Sequence, residues 1–381
     1  MIHCSELLRG EGGSLSHLHY TKPKAPVIVW NLTPECNLSC RHCYADVGRE
    51  QERSMLSTGE AKSFIDDLSH LNIPALLFSG GEPLLRKDIF ELGAYAAGKG
   101  LYTALSTNGT LITQDVAKKI KIAGFKYVGV SIDGMREAHD DFRSSKGSYD
   151  LSVKGIENCI KEGIKTGARF TLTKYNHRDL TELLAFLVKK KIKRFCLYHL
   201  VYSENGRAER ENDVDNKSRR KILDSFFSEV EKMADRGVDV EVLTVDNHAD
   251  GIYLLHRIKT KDADSGSRAE KLISKASGCS AGRGIAAVDS QGVVHPCQFW
   301  SHVSLGNVKE KPFSEIWNDK QNEFLNMLRN GRDKLKGRCG RCVYKASCGG
   351  CRLRAERKFS DIWQEDPACY LTEEEILGKW Q

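Results

Sequence analysis

Residues 27–44 read VIVWNLTPECNLSCRHCY, and the fold follows from how this stretch is built. VIVWN is a run of β-branched and aromatic residues cut off by Thr33-Pro34, which marks a short strand running into a loop. The pattern then repeats. Ser57 and Glu60 have the spacing of a capping box, and Ala61, Phe64, Ile65 and Leu68 share one helical face behind them. ALLFS (75–79) is the second strand, followed by a helix over 88–99 that Gly100 ends. LYTALS (101–106) is the third, followed by a helix with Thr113 as N-cap and Gly124 past its end. KYVGVS (126–131) leads to a helix near 149–162, ARFTLT (168–173) to one near 179–190, and KRFCLYHL (193–200) closes the series. Each crossover is a helix, so the six strands pair in parallel. No strand carries a GxGxxG turn. An α/β partial (β/α)6 barrel of TIM type is therefore expected, rather than a dinucleotide-binding sheet.

The unusual residues all follow strands. Thr33-Pro34-Glu35-Cys36 follows the first, Gly80-Gly81-Glu82-Pro83 the second, Thr107-Asn108-Gly109 the third and Ile132-Asp133-Gly134 the fourth. Parallel barrels build active sites from the loops at the carboxyl ends of their strands, so these four loops are expected to form one rim.

Beyond the barrel the composition changes. Residues 203–220 and 259–277 are polar and read as loops or linker, with a helix near 218–235 and the short strand VDVEVLTV between them. From 278 onward cysteine and glycine thicken while apolar periodicity thins, as in a small domain that needs a metal staple. The expected organisation is an N-terminal extension (1–25), the barrel (26–245), a connecting segment (246–278) and a cysteine-rich domain (279–381).

The 381 residues carry a net charge of +7. Residues 332–358 hold ten basic and two acidic side chains, a local +8, so the rest of the chain is about neutral. That is a poor footprint for nucleic acid, and thiolates on a metal cluster would offset the local charge. There is no apolar run of membrane-spanning length and no basic-then-apolar secretory start. No nucleic acid partner, no membrane insertion and a cytoplasmic location are expected.

Thirteen cysteines in a chain without a secretory signal favour metal or iron–sulfur binding over disulfides. Cys36, Cys40 and Cys43 are spaced CxxxCxxC, and three thiolates on one short loop can hold three irons of a cubane and leave the fourth open. A zinc site normally takes four ligands, and only His42 is near. Cys279, Cys297, Cys339, Cys342, Cys348, Cys351 and Cys369 form the late group, where paired CxxC spacings leave zinc as an alternative. Cys4, Cys159 and Cys196 read as structural.

CxxxCx(aromatic)C on the first loop together with GGEP on the second resembles the radical S-adenosylmethionine family. The resemblance implies a 4Fe–4S cluster on Cys36, Cys40 and Cys43 whose open iron takes the amino and carboxylate groups of S-adenosylmethionine. It implies further cofactor contacts from Gly80, Gly81 and Glu82, from His42 near the adenine, and from Ser131 and Arg143 on ribose and carboxylate. The late cysteines resemble the SPASM extension of that family, which implies one auxiliary 4Fe–4S cluster on Cys339, Cys342, Cys348 and Cys369 and a second on Cys279, Cys297 and Cys351. Only Gly349-Gly350 separate Cys348 from Cys351, where the usual spacing is three, and Ile285 stands where an extra cysteine would follow Cys279. One or two auxiliary clusters are thus implied.

FSGGEPLLRKDIFELGAYA, STNGTLIT, YHLVYSENGR, VEVLTVDNHADGIYLL and PFSEIWND are similar to the haem-pathway branch of the family. This implies an iron tetrapyrrole substrate and an electron donor such as ferredoxin or flavodoxin. Within the branch the likeness leans toward removal of acetate side chains from 12,18-didecarboxysiroheme to give Fe-coproporphyrin III. Haem d1 propionate removal and oxidative decarboxylation of Fe-coproporphyrin III are the sister reactions. A peptide maturase and a non-catalytic iron–sulfur or zinc module are the remaining alternatives. His199, His248, His295 and His302 are candidate ligands to the tetrapyrrole iron, with His248 first.

Overall fold

The computed structural model describes residues 1–9, 25–45, 55–203, 210–275 and 278–379. Residues 10–24 of the N-terminal extension and 204–207 of YHLVYSENGR lie outside these. Eleven strands form one sheet: β1 (Ile2–His3), β2 (Val27–Asn31), β3 (Leu76–Ser79), β4 (Thr103–Thr107), β5 (Tyr127–Ser131), β6 (Lys165–Leu172), β7 (Arg194–His199), β8 (Glu241–Val245), β9 (Ile285–Val288), β10 (Val293–His295) and β11 (Gly306–Asn307). Their order is β1-β8-β7-β6-β5-β4-β3-β2-β9-β10-β11. From β2 to β8 each strand lies parallel to the next in sequence, as helical crossovers require.

The sheet runs past the six expected strands on both sides. β8, from VEVLTV, continues the parallel series and carries β1 antiparallel on its outer edge. β9, from the cysteine-rich region, pairs parallel with β2. Val29 of β2, Ser106 of β4, Arg169 of β6, Tyr198 of β7 and Asp246 just beyond β8 all face one cavity. Strands so far apart in the order can share a cavity only where the sheet curls around it, which is the geometry of an incomplete barrel.

The first crossover shows how local sequence sets the packing. Ser57 caps the helix Thr58–His70 through a complete capping box with Glu60, and Ala61, Phe64, Ile65 and Leu68 are buried. Trp30 is fully buried, with Phe64 and Phe78 at 5.4 and 5.6 Å between ring centres.

Three segments differ from the sequence reading. Most of 259–277 is helical rather than linker, in the helices Ala249–Lys261 and Ala263–Lys275. Its polar residues occupy the outer side, while Ala269 and Ile273 enter the core. The helix expected from 218 begins at Asn216, where Asp215 accepts a hydrogen bond from the Ser218 N–H at 2.9 Å. A short helix, Arg136–Phe142, stands between β5 and the next long helix where none was expected.

The tail has its own apolar centre, around Val201, Trp300, Leu328 and Leu353. It is tied to the barrel by Arg354, which is fully buried. The guanidinium pairs with Asp366 at 2.8 Å and donates to the carbonyls of Leu200 and Asp246, beyond β7 and β8. Burial alone would raise the Asp366 carboxyl, but Arg354 holds it far below the usual carboxylate range. Among the described residues no helix is long and apolar enough to cross a membrane.

Replacing Arg354 with Met should destabilise the fold by about 3–5 kcal/mol, because Asp366 is left buried and unpaired. The check is the urea midpoint of anaerobically prepared protein. Arg354→Lys should restore only part of the loss, since an ammonium cannot span a carboxylate and two carbonyls in one plane. An unchanged midpoint in the Met variant would mean that the pair does not hold the tail in place.

Candidate functional site

The carboxyl ends of the parallel strands open onto a cavity. Cys36, Cys40, Cys43, His42, Gly80, Gly81, Ser131 and Arg143 all line it. The four loops read from sequence do meet at one rim.

The cysteine loop has no secondary structure of its own, so its neighbours fix its shape. Gly81 N–H donates to the Thr33 carbonyl at 2.8 Å and Glu82 N–H to the Glu35 carbonyl at 2.7 Å. These bonds bring the GGEP loop so close that a Cβ on Gly81 would lie 2.1 Å from the Glu35 oxygen, and one on Gly80 2.6 Å from that of Thr33. Gly80 also has φ +132°, a conformation open to glycine alone. Both glycines are there for close approach.

Glu82 does not line the cavity. Its side chain is fully buried and accepts from Thr107 Oγ1 at 2.7 Å, Asn108 N–H at 2.8 Å and Leu84 N–H at 3.2 Å. Burial pushes its carboxyl up to about 7, against the pull of those donors. Glu82 is a brace between loops. Asn108 then reaches Asn37 of the cysteine loop at 2.9 Å.

The helix Arg136–Phe142 supports the loop from the other side. Arg41 N–H donates to the Phe142 carbonyl at 3.0 Å, Arg41 pairs with Asp141 at 2.7 Å, and the His42 ring stacks on Phe142 with centres 4.3 Å apart. Arg143, just past that helix, donates to Cys40 Sγ at 3.4 Å and pairs closely with buried Asp133. Burial opposes a charge on Asp133, yet Arg143 and His42 hold its carboxyl below the usual range. Burial lowers the His42 imidazole to about 4, so the ring is neutral at pH 7. Asp133 was not among the site residues read from sequence, although it stands in the SIDG motif.

None of the ten clustered cysteines is in a disulfide. Burial, and then like charge from Cys40, pushes Cys43 up to about 11. Cys339, Cys342, Cys348 and Cys369 line one small pocket. Arg352 and the Asp366 N–H both point at Cys339 Sγ, at 3.7 and 3.3 Å, as a thiolate would require. Cys279, Cys297 and Cys351 all pack on the tail's apolar centre. Burial first, and then the charge of Cys279, raises the Cys297 thiol, and burial raises that of Cys351 against the pull of Arg354.

A single tetrahedral zinc with bonds of about 2.3 Å draws its sulfurs to about 4 Å apart. Among the described residues no three of these cysteines bring their sulfurs within 4.8 Å of one another. A cubane takes one thiolate at each corner iron and does not need the sulfurs that close. The unpartnered buried atoms Arg143 Nε and His42 Nδ1 add polar groups beside the first triplet that a bound cofactor could use.

The candidate histidines are placed differently. His199 is held on both nitrogens, by Asp250 at 2.8 Å and Arg219 at 3.0 Å. His295 meets the Val303 carbonyl at 2.8 Å and His302 meets Glu356 at 3.1 Å. His248 does not line the cavity, and burial lowers its imidazole to about 3.

The family models that match are the radical SAM superfamily, over residues 30–187, and an iron–sulfur cluster-binding domain known as SPASM, over 279–343. The chain is 46% identical over 366 residues to the Fe-coproporphyrin III synthase of Methanosarcina barkeri, covering 95% of this chain and 92% of that one. It is 40% identical to the pre-heme d1 synthase of Dinoroseobacter shibae, over 91% and 86% of the two chains. It is 33% identical to the AdoMet-dependent heme synthase of M. barkeri, over 90% and 95%. In fold it is similar to anSMEcpe with bound AdoMet, with a TM-score of 0.71 at 22% identity over 93% and 96% of the two chains. SuiB of Streptococcus suis bound to S-adenosylmethionine gives 0.72 at 19% identity, over 91% and 78%.

Gly81→Ala should force the two loops apart and lower the iron bound at the cysteine triplet after anaerobic reconstitution, while the tail keeps its iron. Gly59→Ala is the control, since nothing lies within 4 Å of a Cβ there, and it should be neutral or slightly stabilising. Equal iron content in the two variants would contradict the close-approach argument.

Proposed function

Because this chain belongs to the radical S-adenosylmethionine superfamily, in its haem-synthesis branch, and works with that family's 4Fe–4S clusters and cofactor, we propose that it removes two acetate side chains from 12,18-didecarboxysiroheme to give Fe-coproporphyrin III. The observation that carries this reading is the end-to-end likeness to the M. barkeri Fe-coproporphyrin III synthase, which is stronger than that to either sister reaction.

In this reading Cys36, Cys40 and Cys43 hold the first cluster, and Gly80 and Gly81 keep their backbone within reach of the cofactor's methionine. His42 and Ser131 take the adenine and ribose ends, and Arg143 the carboxylate, while Glu82 acts from behind as the brace of the loop. When bound, cluster and cofactor supply a 5′-deoxyadenosyl radical that takes a hydrogen atom from the substrate. The protein's own work is to orient the tetrapyrrole against that position and to exclude water. Cys339, Cys342, Cys348 and Cys369 hold an auxiliary cluster, with Arg352 and the Asp366 amide donating to the Cys339 sulfur. Cys279, Cys297 and Cys351 offer three thiolates to a second one. The enzyme acts in the cytoplasm, with ferredoxin or flavodoxin as electron donor.

The test is product analysis by mass spectrometry, with didecarboxysiroheme, S-adenosylmethionine and a reductant under anaerobic conditions. The expected product has lost mass corresponding to two acetate groups per macrocycle. Loss of two propionates, or oxidative decarboxylation when Fe-coproporphyrin III is supplied in place of didecarboxysiroheme, would move the assignment to a sister reaction. No change to any iron tetrapyrrole would overturn it.

A further inference from the structure

Arg169 is the arginine in the barrel interior that nothing above explains. It lies on β6 beside Ser131 of β5 in register, and it lines the main cavity. Its side chain lies across Gly129, where an added Cβ would come within 2.3 Å of Nε. The guanidinium donates to Ser106 Oγ and stands 5.9 Å over the Tyr127 ring. Its Nε is buried without a hydrogen-bond partner.

What sets it apart is that it meets neither a carboxylate nor a backbone carbonyl among the described residues, only the Ser106 hydroxyl and the Tyr127 ring. Arg169 is half-buried where it lines the cavity. Among the described residues the buried arginines each have an anionic partner, and the half-buried Arg9 and Arg329 donate to backbone carbonyls instead. Arg86 pairs with Asp88, Arg143 with Asp133, Arg219 with Asp213 and Arg354 with Asp366, while Arg352 faces the Cys339 sulfur. Arg169 has no carboxylate within ion-pair distance among the described residues. A guanidinium does not escape burial by losing its proton, so an unpaired one is costly. Gly129 gives it room, and Ser106 and the Tyr127 ring hold it in place. An investment of this kind is understandable where a ligand brings the missing charge.

We infer that Arg169 is a carboxylate-binding site in the floor of the cavity, taking one peripheral carboxylate arm of the tetrapyrrole substrate. The inference rests on the tetrapyrrole reading above and adds the group that recognises the substrate. Depth separates this position from the cofactor's end of the cavity. Arg169 reaches down to Ser106, which pairs with Gly129, two residues before Ser131 and so about 7 Å further along the strand. Arg143, beside the cysteine triplet, is at the upper level. The carboxylate arms project from the edge of a planar macrocycle, so one arm can point toward the floor while the ring stays above it. The carboxylate then meets the charged guanidinium from the cavity side, in a charge-assisted hydrogen bond.

The test compares an iron tetrapyrrole as its free acid and as its methyl ester, with binding to holoenzyme followed anaerobically through the ligand's own absorption bands. Arg169→Gln should weaken binding of the acid by about ten- to hundredfold, the range for a hydrogen-bonded charge, and leave the ester unchanged. Arg169→Lys should fall between. If the acid-to-ester ratio is the same in wild type and Arg169→Gln, the guanidinium is structural and the inference fails while the tetrapyrrole reading stands. If the variant loses affinity for S-adenosylmethionine instead, the anion belongs to the cofactor and the inference also fails. If wild type binds neither acid nor ester, both readings fall. A measurement without variants covers the case in which Arg169→Gln does not fold. The wild-type preference for acid over ester should persist at about 1 M salt, because a buried pair is little screened, and its collapse in salt would overturn the inference.

Discussion

A cluster that leaves one iron open must be held by three thiolates and no fourth, on a loop that cannot collapse to supply another ligand. That constraint governs the rest of the site. Residues 36–43 form no helix or strand. Two long bonds lie within the loop, from Cys43 N–H to the Cys40 carbonyl and from Leu38 N–H to Cys36 Sγ, and the rest of its support comes from elsewhere. The two GGEP backbone bonds to Thr33 and Glu35 set one side. The chain from Glu82 through Asn108 to Asn37 sets the second. Arg143 and the Phe142 ring set the third. Each support leaves a different strand end, so the curled sheet is what keeps the loop open.

The tail meets the same rim. Phe299, two residues after Cys297, packs edge-on against Tyr44, next to the last cysteine of the triplet, at 5.2 Å. β9 lies beside β2, the strand that feeds the cysteine loop. The loop that carries the first triplet and the region that carries the late cysteines therefore share a wall. Arg354 locks the other side of that wall to the ends of β7 and β8, through a buried pair whose removal would leave Asp366 alone in the protein interior.

Much of this was legible in the sequence, because the signals are local. Strand runs, capping residues and glycines past helix ends depend on neighbours a few residues away, and they marked β2 to β7 with their crossovers. Cysteine spacing and GGEP marked the rim. What was not legible depends on distant partners. The helix Arg136–Phe142 is short and mostly polar, and its value lies in touching residues 41 and 42. The second helix of the connecting region, Ala263–Lys275, hides a buried face of Ala269 and Ile273 within a polar run. His248 drew notice because it stands among Asp246, Asn247 and Asp250. In the fold Asn247 donates to the Ala368 carbonyl, and Asp250 holds His199 and Tyr370, so much of that polarity serves packing. Arg169 could not be singled out from one strand, since the space it occupies is made by Gly129 on the next.

The central claim is that residues 36–43 hold the cluster that activates the cofactor, separate from the iron of the tail. It is tested most directly by replacing Cys36, Cys40 and Cys43 together with alanine, then measuring iron and 5′-deoxyadenosine formation in the reconstituted protein. The account predicts a loss of about four irons, one cubane's worth, with the tail's iron retained and 5′-deoxyadenosine formation abolished. Cofactor cleavage at the wild-type rate in that variant would contradict it.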